Sequence, residues 1–466
     1  MNWTPHDVLT ATGGVALGPL PVTAFPSIAT DSRRVDPGAL FVALRGEHHD
    51  AHTYVAEALR SGAAAALVER VPDGMATDRL IRVADTLHAL GDLAAWTRRQ
   101  LPELRVVAVT GSNGKTTTKE LIAGVCAAAA FPPPYTRVLK TDGNFNNLIG
   151  LPLTLLRLQG DEAVAILEMG MNRPGEIARL TEIAAPTYAL ITNVGAAHLE
   201  GVGGTIAGVA AAKGELFAGL AADAVIAVNA DDEWVCRVAA PFRGRKVTFG
   251  RDGDVRATAI VDLGLDGLAF DLVIGGRAAK VRLRLVGPHN VMNALAAAAI
   301  GHAMELPLEL IAHGLQSTLP PAQRMQVVRL ANGVTLINDA YNANPSSVEA
   351  ALVALRRMPG RSVVVLGDMW ELGDESRRAH HEVGERAASL AVRQVFLLGT
   401  HAATVAAGAR AGGMAADAIH VCGSHAEVAE AVVARWQPGD NVLVKGSHGM
   451  RMEEVVRLLE GAGNSP

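Results

Sequence analysis

The segment Gly111-Ser112-Asn113-Gly114-Lys115-Thr116-Thr117 follows the β-branched run 105–110 and leads into helix-forming residues. Glycines let backbone N–H groups approach an anion, a helix start adds partial positive charge, and an amine at Lys115 can neutralise terminal phosphate oxygens. Thr116 offers a hydroxyl to Mg²⁺, so the pattern predicts a nucleoside-triphosphate site. Its spacing is shorter than the common phosphate loop, because position 109 is Val where that loop has Gly. Two polar groups close apolar runs further on: Glu168 ends "AVAILE" and His198 lies in "ITNVGAAHLE". The carboxyl ends of strands are where open α/β sheets bind ligands. A carboxylate and an imidazole beside triphosphate oxygens suit a divalent cation, although Mg²⁺ prefers oxygen ligands. Each residue alone could equally cap a helix or sit hydrogen-bonded in a core. Lys213 follows on a helix, and since an ammonium beside a metal ion is unfavourable, residue chemistry alone makes it a surface lysine.

Further along, "GPHNVMNALAAAA" puts His289, Asn290 and Asn293 at the opening of a helix, where amides can meet an adenine edge or simply cap the helix. The run "VTLIND" leads into "AYNANPSS", which gathers Asp339, Tyr341, Asn342 and Asn344 at the end of a strand, as a ligand-facing loop or a turn. The segments "LGDMWELGDESRRAH" and "VKGSHGMRMEE" also follow apolar runs. Their Arg377 and Arg451 are either solvated or grip a carboxylate in a bidentate pair.

These residues need a scaffold, and the hydrophobic rhythm supplies three α/β blocks. Residues 1–84 carry short strands at 40–44 and 64–68 around a helix at 51–61. Residues 85–318 alternate strands at 105–110, 163–168, 188–193 and 224–229 with helices, which predicts a mainly parallel sheet covered on both faces. Past residue 250 the pattern becomes Gly-rich and alternating, and an alanine-rich helix at 289–304 is expected to close the block. Leu319-Pro320-Pro321 marks a linker, after which residues 319–466 show strands at 334–338, 362–367, 394–398 and 441–445. The expected fold class is α/β in three domains: a small N-terminal domain, a central P-loop domain with a doubly wound parallel sheet, and a C-terminal Rossmann-like domain.

With 42 basic and 47 acidic residues the net charge is -5, which gives no general attraction to nucleic acid or an anionic membrane. Three cysteines without a C-x-x-C pair (Cys126, Cys236, Cys422) neither frame a disulfide scaffold nor hold zinc. The first residues lack a basic patch followed by an apolar run, and no stretch reaches the length of a membrane span, so a cytoplasmic protein is expected.

The motifs "GSNGKTTTKE", "NFNNLIGLPLTLL", "LEMGMNRPGEI", "TNVGAAHLEG", "AAAKGELF", "HNVMNALAAAA", "NDAYNANPSSVEAAL", "LGDMWELG" and "VLVKGSHGMRM" stand in the order seen in the Mur ligases, and the resemblance covers essentially the whole chain. It implies ATP-dependent ligation of D-alanyl-D-alanine to UDP-N-acetylmuramoyl-tripeptide through an acyl phosphate, in a cytoplasmic monomer of peptidoglycan synthesis. By the same resemblance Gly111, Asn113, Gly114, Lys115, Thr116 and Thr117 bind ATP, and Asn290 and Asn293 lie toward its adenine. Arg324, Asp339 and Asn342 match positions where the last domain closes on the nucleotide. Lys115, Glu168, His198 and Lys213 carry catalysis, and two Mg²⁺ ions are held by Thr116, Glu168, His198 and Lys213. Lys213 matches a lysine that the family carbamylates, which turns a cation into an anionic metal ligand. "DSRRVDPGALFVALRG" is similar to the family's uridine-nucleotide signature and implies that Ser32 and Arg33 approach the UDP portion. Asn144, Asn146, Asn147, Arg377 and Arg451 are expected against the substrates. The chain has Ala51 where the family has Gly in D-G-H, and Gln323 where many relatives have Gly. Two other family activities remain as alternatives: addition of the third amino acid, whose enzymes usually carry a D-N-P-R motif missing here, and folate polyglutamylation. A nucleotide switch without ligation is the alternative from another class.

Overall fold

The computed structural model describes residues 1–46, 49–129, 131–195 and 199–464. Three sheets follow one another along the chain. The first has the order Val15–Ala16, Leu80–Arg82, Ala65–Val68, Leu40–Val42, Ile28–Ala29, parallel except for the Val15–Ala16 edge. Its middle strand, Ala-Ala-Leu-Val, is buried at every position, as a strand covered on both faces must be. The expected 51–61 helix is a 3₁₀ turn at Ala51–Tyr54 running into the α-helix Val55–Arg60. The longer helix Thr86–Arg99, capped by the Asp85 carboxylate accepting from His88 N–H, bridges to the second unit. There Arg179 pairs with Asp92 at 2.6 Å.

The nine-stranded central sheet changes character along its width. Strands Arg137–Lys140, Glu162–Glu168, Arg105–Thr110, Tyr188–Ile191, Val225–Asn229 and Arg245–Phe249 run parallel. Glu162–Glu168 is buried throughout, which matches its unbroken apolar run. The last three strands, Val255–Asp262, Leu268–Ile274 and Arg277–Leu283, are antiparallel to one another. Leu268–Ile274 accordingly alternates buried and half-buried residues, one face in the core and one toward solvent. One face of the sheet packs against helices Lys115–Ala128, His289–Ala303 and Leu308–Ser317, and the other against Thr86–Arg99, Glu176–Ala184 and Ile206–Ala218. The alanine-rich helix is not the last of this unit, because Leu308–Ser317 follows it.

The third sheet has the order Gln326–Arg329, Thr335–Asp339, Asp440–Lys445, Arg361–Leu366, Gln394–Leu398, Ile419–Cys422, parallel apart from its first edge. Arg361 and Asp440 face each other in register at the amino ends of the two central strands. The guanidinium donates twice to the carboxylate, at 2.7 and 2.9 Å, and Asp440 is 1% exposed. Among the described residues no helix is long and apolar enough to cross a membrane.

Removing one partner of such a pair leaves the other charge stranded. Arg361→Ala is therefore expected to destabilise the last domain by about 3 kcal/mol, read as an earlier transition in thermal or urea unfolding.

Candidate active site

The strand Arg105–Thr110 and the helix Lys115–Ala128 are joined by a loop that only small residues can make. Gly111 has φ +146°, and a Cβ there would fall 1.9 Å from Thr192 Oγ1. Gly114 has φ +80°, and its missing Cβ leaves room for the Asn293 amide. Neighbouring groups fix the loop: Asn113 N–H donates to Asn193 Oδ1 (3.0 Å), and its carbonyl accepts from Thr192 Oγ1 (2.6 Å) and Asn193 Nδ2 (3.1 Å). No side chain caps the helix, so its first N–H groups remain available to an anion. Lys115 Nζ folds back to donate to Gly111 O at 2.8 Å. Desolvation lowers its proton affinity, Arg324 lowers it further, and the carboxylates of Glu168 and Glu371 oppose that shift.

Glu168 is buried at the carboxyl end of its strand, accepting from Thr116 Oγ1 at 2.8 Å and from Asn146 Nδ2 at 2.9 Å. A hydroxyl and a carboxylate oxygen side by side beneath a phosphate loop are the hard donors Mg²⁺ takes when substrate phosphates and waters complete its shell. Among the described residues no group of three or more His, Cys, Asp or Glu forms a cage by itself, so the donor set fits a shared ion rather than a dedicated one. His198 lies outside the described residues. Lys213, expected at the surface from residue chemistry alone, is 1% exposed on the helix Ile206–Ala218. Burial, reinforced by the nearby charge of Lys115, holds its amine well below the ordinary lysine range. No partner for that amine is found among the described residues.

The last domain closes over the loop. Arg324 Nη2 donates to Thr116 Oγ1 at 2.7 Å while its guanidinium stacks 4.0 Å over the Tyr341 ring. The loop carrying Arg324 has left-handed backbone at Gln323 (φ +59°) and Met325 (φ +50°), conformations a glycine would adopt freely. Asn113 is bound from the same side, donating to Ser346 Oγ at 2.9 Å and accepting from Asn344 Nδ2 at 2.8 Å. Behind them Lys445 Nζ lies 2.6 Å from Asp339 Oδ2 and 2.9 Å from Asn342 O, a buried pair that holds the 339–344 loop. The cleft between the two domains measures about 890 Å³.

Asn113, Gly114, Lys115, Thr116, Thr117, Asn144, Asn146, Asn147, Glu168, Asn290, Asn293, Arg324, Asp339 and Asn342 all line this cleft. Gly111 lies beneath it and Lys213 beside Lys115. Asn293 Nδ2 donates to Asn290 Oδ1 (2.8 Å) and Asn290 Nδ2 to Val286 O (2.8 Å), so these amides also hold their helix against the phosphate loop. Four other candidates do not line it either. Ser32 sits beside Arg33, whose guanidinium is exposed and engaged by Asp31, a carboxyl held down at about 2 by that contact. Arg377 is exposed on the helix Ser376–Ser389, and Arg451 pairs with Glu454 at 2.5 Å. Residue types alone did not single out Lys445, Ser346 or Glu371. The signal for Lys445 was a lysine closing a strand otherwise fit for full burial.

Three family models match in succession: the Mur ligase family catalytic domain over residues 25–98, the Mur ligase middle domain over 109–301, and the Mur ligase glutamate ligase domain over 323–448. The UDP-N-acetylmuramoyl-tripeptide–D-alanyl-D-alanine ligase of Escherichia coli K12 is 40% identical over 449 residues, covering 94% of each chain. The chain belongs to the Mur ligase family. Among solved Mur ligases, a MurF from Acinetobacter baumannii superposes with a TM-score of 0.90 at 35% identity over 99% of each chain. A Thermotoga maritima MurF in complex with ADP does so at 0.82 and 29% identity, covering 94% of this chain and 97% of that one.

In this Mur ligase the buried Lys213 has a measurable consequence. Its depressed proton affinity means that the folded chain binds fewer protons than the unfolded one between the two pKa values. The destabilisation is thus complete below the folded value and fades as pH rises toward the ordinary lysine range. Lys213→Met should melt a few degrees higher than the wild type at about pH 7 in carbon dioxide-free buffer, and the gap should shrink by about pH 10. A variant that melts lower at both would place a stabilising partner on the amine.

Proposed function

We propose that this Mur ligase joins D-alanyl-D-alanine to UDP-N-acetylmuramoyl-tripeptide at the expense of ATP, acting as a cytoplasmic monomer to form the pentapeptide precursor of peptidoglycan. The observation that carries the reading is the closed cleft in which Lys115, Glu168 and Thr116 of the central domain meet Arg324 of the last one. The full-length likeness to the E. coli and A. baumannii enzymes supports the choice of activity within the family.

A carboxylate is a poor acyl donor, so the tripeptide's terminal carboxylate oxygen first attacks the γ-phosphorus of ATP and ADP leaves. The phosphate chain lies along the 111–117 loop, with Asn290 and Asn293 toward the adenine. Lys115 and the free N–H groups of its helix offset charge on the transferring phosphoryl group. Arg324 leaves Thr116 Oγ1 for the incoming phosphates, and Asp339 and Asn342 hold its neighbourhood in place. Thr116 and Glu168, with His198, would hold Mg²⁺, which would supply further charge neutralisation between nucleotide and acid. Lys213, kept neutral by its surroundings, attacks carbon dioxide and gives up one N–H proton to water, leaving a carbamate whose negative charge relieves the crowding of two amines and would suit a second Mg²⁺. The amine of the dipeptide then displaces phosphate from the acyl carbon inside a cleft that excludes water. Asn144, Asn146 and Asn147 line the side of the cleft from which the acid enters, and Ser32 and Arg33 serve the uridine nucleotide. Arg377 and Arg451 stand outside the cleft, so gripping the dipeptide would require them to swing inward.

Phosphate release from ATP is expected only when both the muramoyl tripeptide and D-alanyl-D-alanine are present. Release indifferent to either would favour a nucleotide switch. Lys213→Ala should abolish ligation with partial rescue by short carboxylic acids, and bicarbonate should stimulate the wild type but not the variant. Full activity in Lys213→Ala would remove the carbamate from the mechanism.

A further inference from the structure

We propose that Lys119 is a positioning residue for Glu168: acting through Thr141, it fixes the strand end from which that carboxylate reaches the phosphate loop. The proposal rests on the reading above, in which Thr116 and Glu168 would hold Mg²⁺. Lys119 does not line the cleft. It is 1% exposed on the helix Lys115–Ala128, three residues past Thr116 and therefore on the same face. Its Nζ donates to Thr141 O at 2.6 Å and lies 3.0 Å from Glu120 Oε1. Glu120 is also bound by Lys140. Although burial resists its ionisation, that hydrogen bond and the charge of Lys119 hold the carboxyl below the ordinary range. Since Lys140 already pairs with Glu120, charge balance alone gives no reason to bury a second amine there. What Lys119 adds is the bond to Thr141.

Thr141 stands where strand pairing gives out. Arg137–Lys140 runs parallel to Glu162–Glu168 as far as Lys140 opposite Ile166, and Thr141 N–H adds a further ladder bond to Ile166 O at 3.0 Å. In a regular parallel ladder the Thr141 carbonyl would next accept from Glu168 N–H. Here the Thr141 hydroxyl takes that N–H, at 3.0 Å, while the carbonyl accepts from Lys119. Lys119 has drawn the carbonyl out of the ladder, and a side chain has taken its place.

The diversion sets two things at once. It holds the backbone of Glu168, and it turns the chain out of the sheet toward the 144–147 segment. There Asn146 Nδ2 donates to Glu168 Oε1 at 2.9 Å, and Asn146 O accepts from Gly170 N–H at 2.8 Å. Thr116, on the same helix face as Lys119, donates to Glu168 Oε2 at 2.8 Å. One helix therefore grips Glu168 twice, at its carboxylate through Thr116 and at its backbone through Lys119 and Thr141. Hydrogen bonds to a carboxylate aim it only if the strand end beneath it stays in place. Outer partners of this kind typically change metal affinity by about 10- to 100-fold.

Mn²⁺ binding in the presence of ADP, followed by electron paramagnetic resonance, reads the site without turnover. Thr141→Val keeps the shape of the side chain and removes the acceptor, so the Mn²⁺ Kd should rise by about 10-fold, and Thr141→Ser should restore it. Lys119→Met should cost a similar factor. Because both changes cut one path, the double variant should also stay at about 10-fold, whereas independent effects would multiply to about 100-fold. In ligation, the Mg²⁺ needed for half-maximal rate should rise with the Mn²⁺ Kd while KM for D-alanyl-D-alanine is unchanged. A wild-type Kd in either single variant, no recovery in Thr141→Ser, or multiplication in the double variant would each overturn the proposal. Lys119→Met leaves Glu120 paired with Lys140 and should fold, which ligand-free thermal unfolding checks; should it unfold, the two Thr141 variants decide by the same criteria. A wild-type protein that binds no Mn²⁺ with ADP would overturn the metal reading of Thr116 and Glu168, and the proposal with it.

Discussion

The structure is organised around positive charge that has been taken out of water. Lys115 and Lys213 stand close together, and desolvation lowers the hold of both on a proton, with the charge of Lys115 lowering that of Lys213 further. A site of this kind is electrostatically incomplete by itself, since burying like charges is favourable only when anions arrive to compensate. Glu168 supplies one such charge, tied in place by Thr116 and Asn146. The phosphates of a nucleotide supply the rest, so binding energy and catalytic stabilisation come from the same few ångströms of loop.

The closure that seals this site is made of polar contacts. Asn113 meets Ser346 and Asn344, and Arg324 meets Thr116, through single hydrogen bonds of 2.7–2.9 Å. Such bonds contribute little net free energy, because water replaces them when the domains part. The apolar clusters of the central and last units are largely separate, although Val286 and Leu265 of the central unit pack with the last one. An interface of this composition favours reversible opening, which a three-substrate reaction requires for loading and release. Stability is lodged elsewhere: in strands buried on both faces and in the Arg361–Asp440 pair, which fastens the two strands whose far ends carry the 367–372 and 446–451 loops.

Strands buried on both faces were legible in the sequence because such burial demands unbroken apolar runs: 105–110, 163–168 and 441–445 each lie within two residues of the observed strands. Partly exposed strands were not. The edge strands Arg137–Lys140 and Gln326–Arg329 and the interior strand Arg245–Phe249 carry basic or amide residues, and their place in a sheet is decided by neighbours rather than by their own pattern. The same division runs through the site. The phosphate loop is local chemistry and can be read from seven consecutive residues. Lys213 could not be, since its burial depends on a helix packing beside a loop about a hundred residues earlier in the chain. Glu371 was hidden for a related reason: nothing in "LGDMWELG" announces a left-handed turn at a glutamate, which arises from Asp368, His380 and Ser447 acting together.

Placing Arg324 and the phosphate loop on different domains bears on the order of events. Were they on one rigid unit, Arg324 would press its charge on Lys115 at every loading step. Carried by the last domain, the guanidinium meets Thr116 where the two domains join, so parting the domains takes that charge away from the loop. A nucleotide's phosphates answer both cations in the joined state, which is also the state that shields the cleft from water.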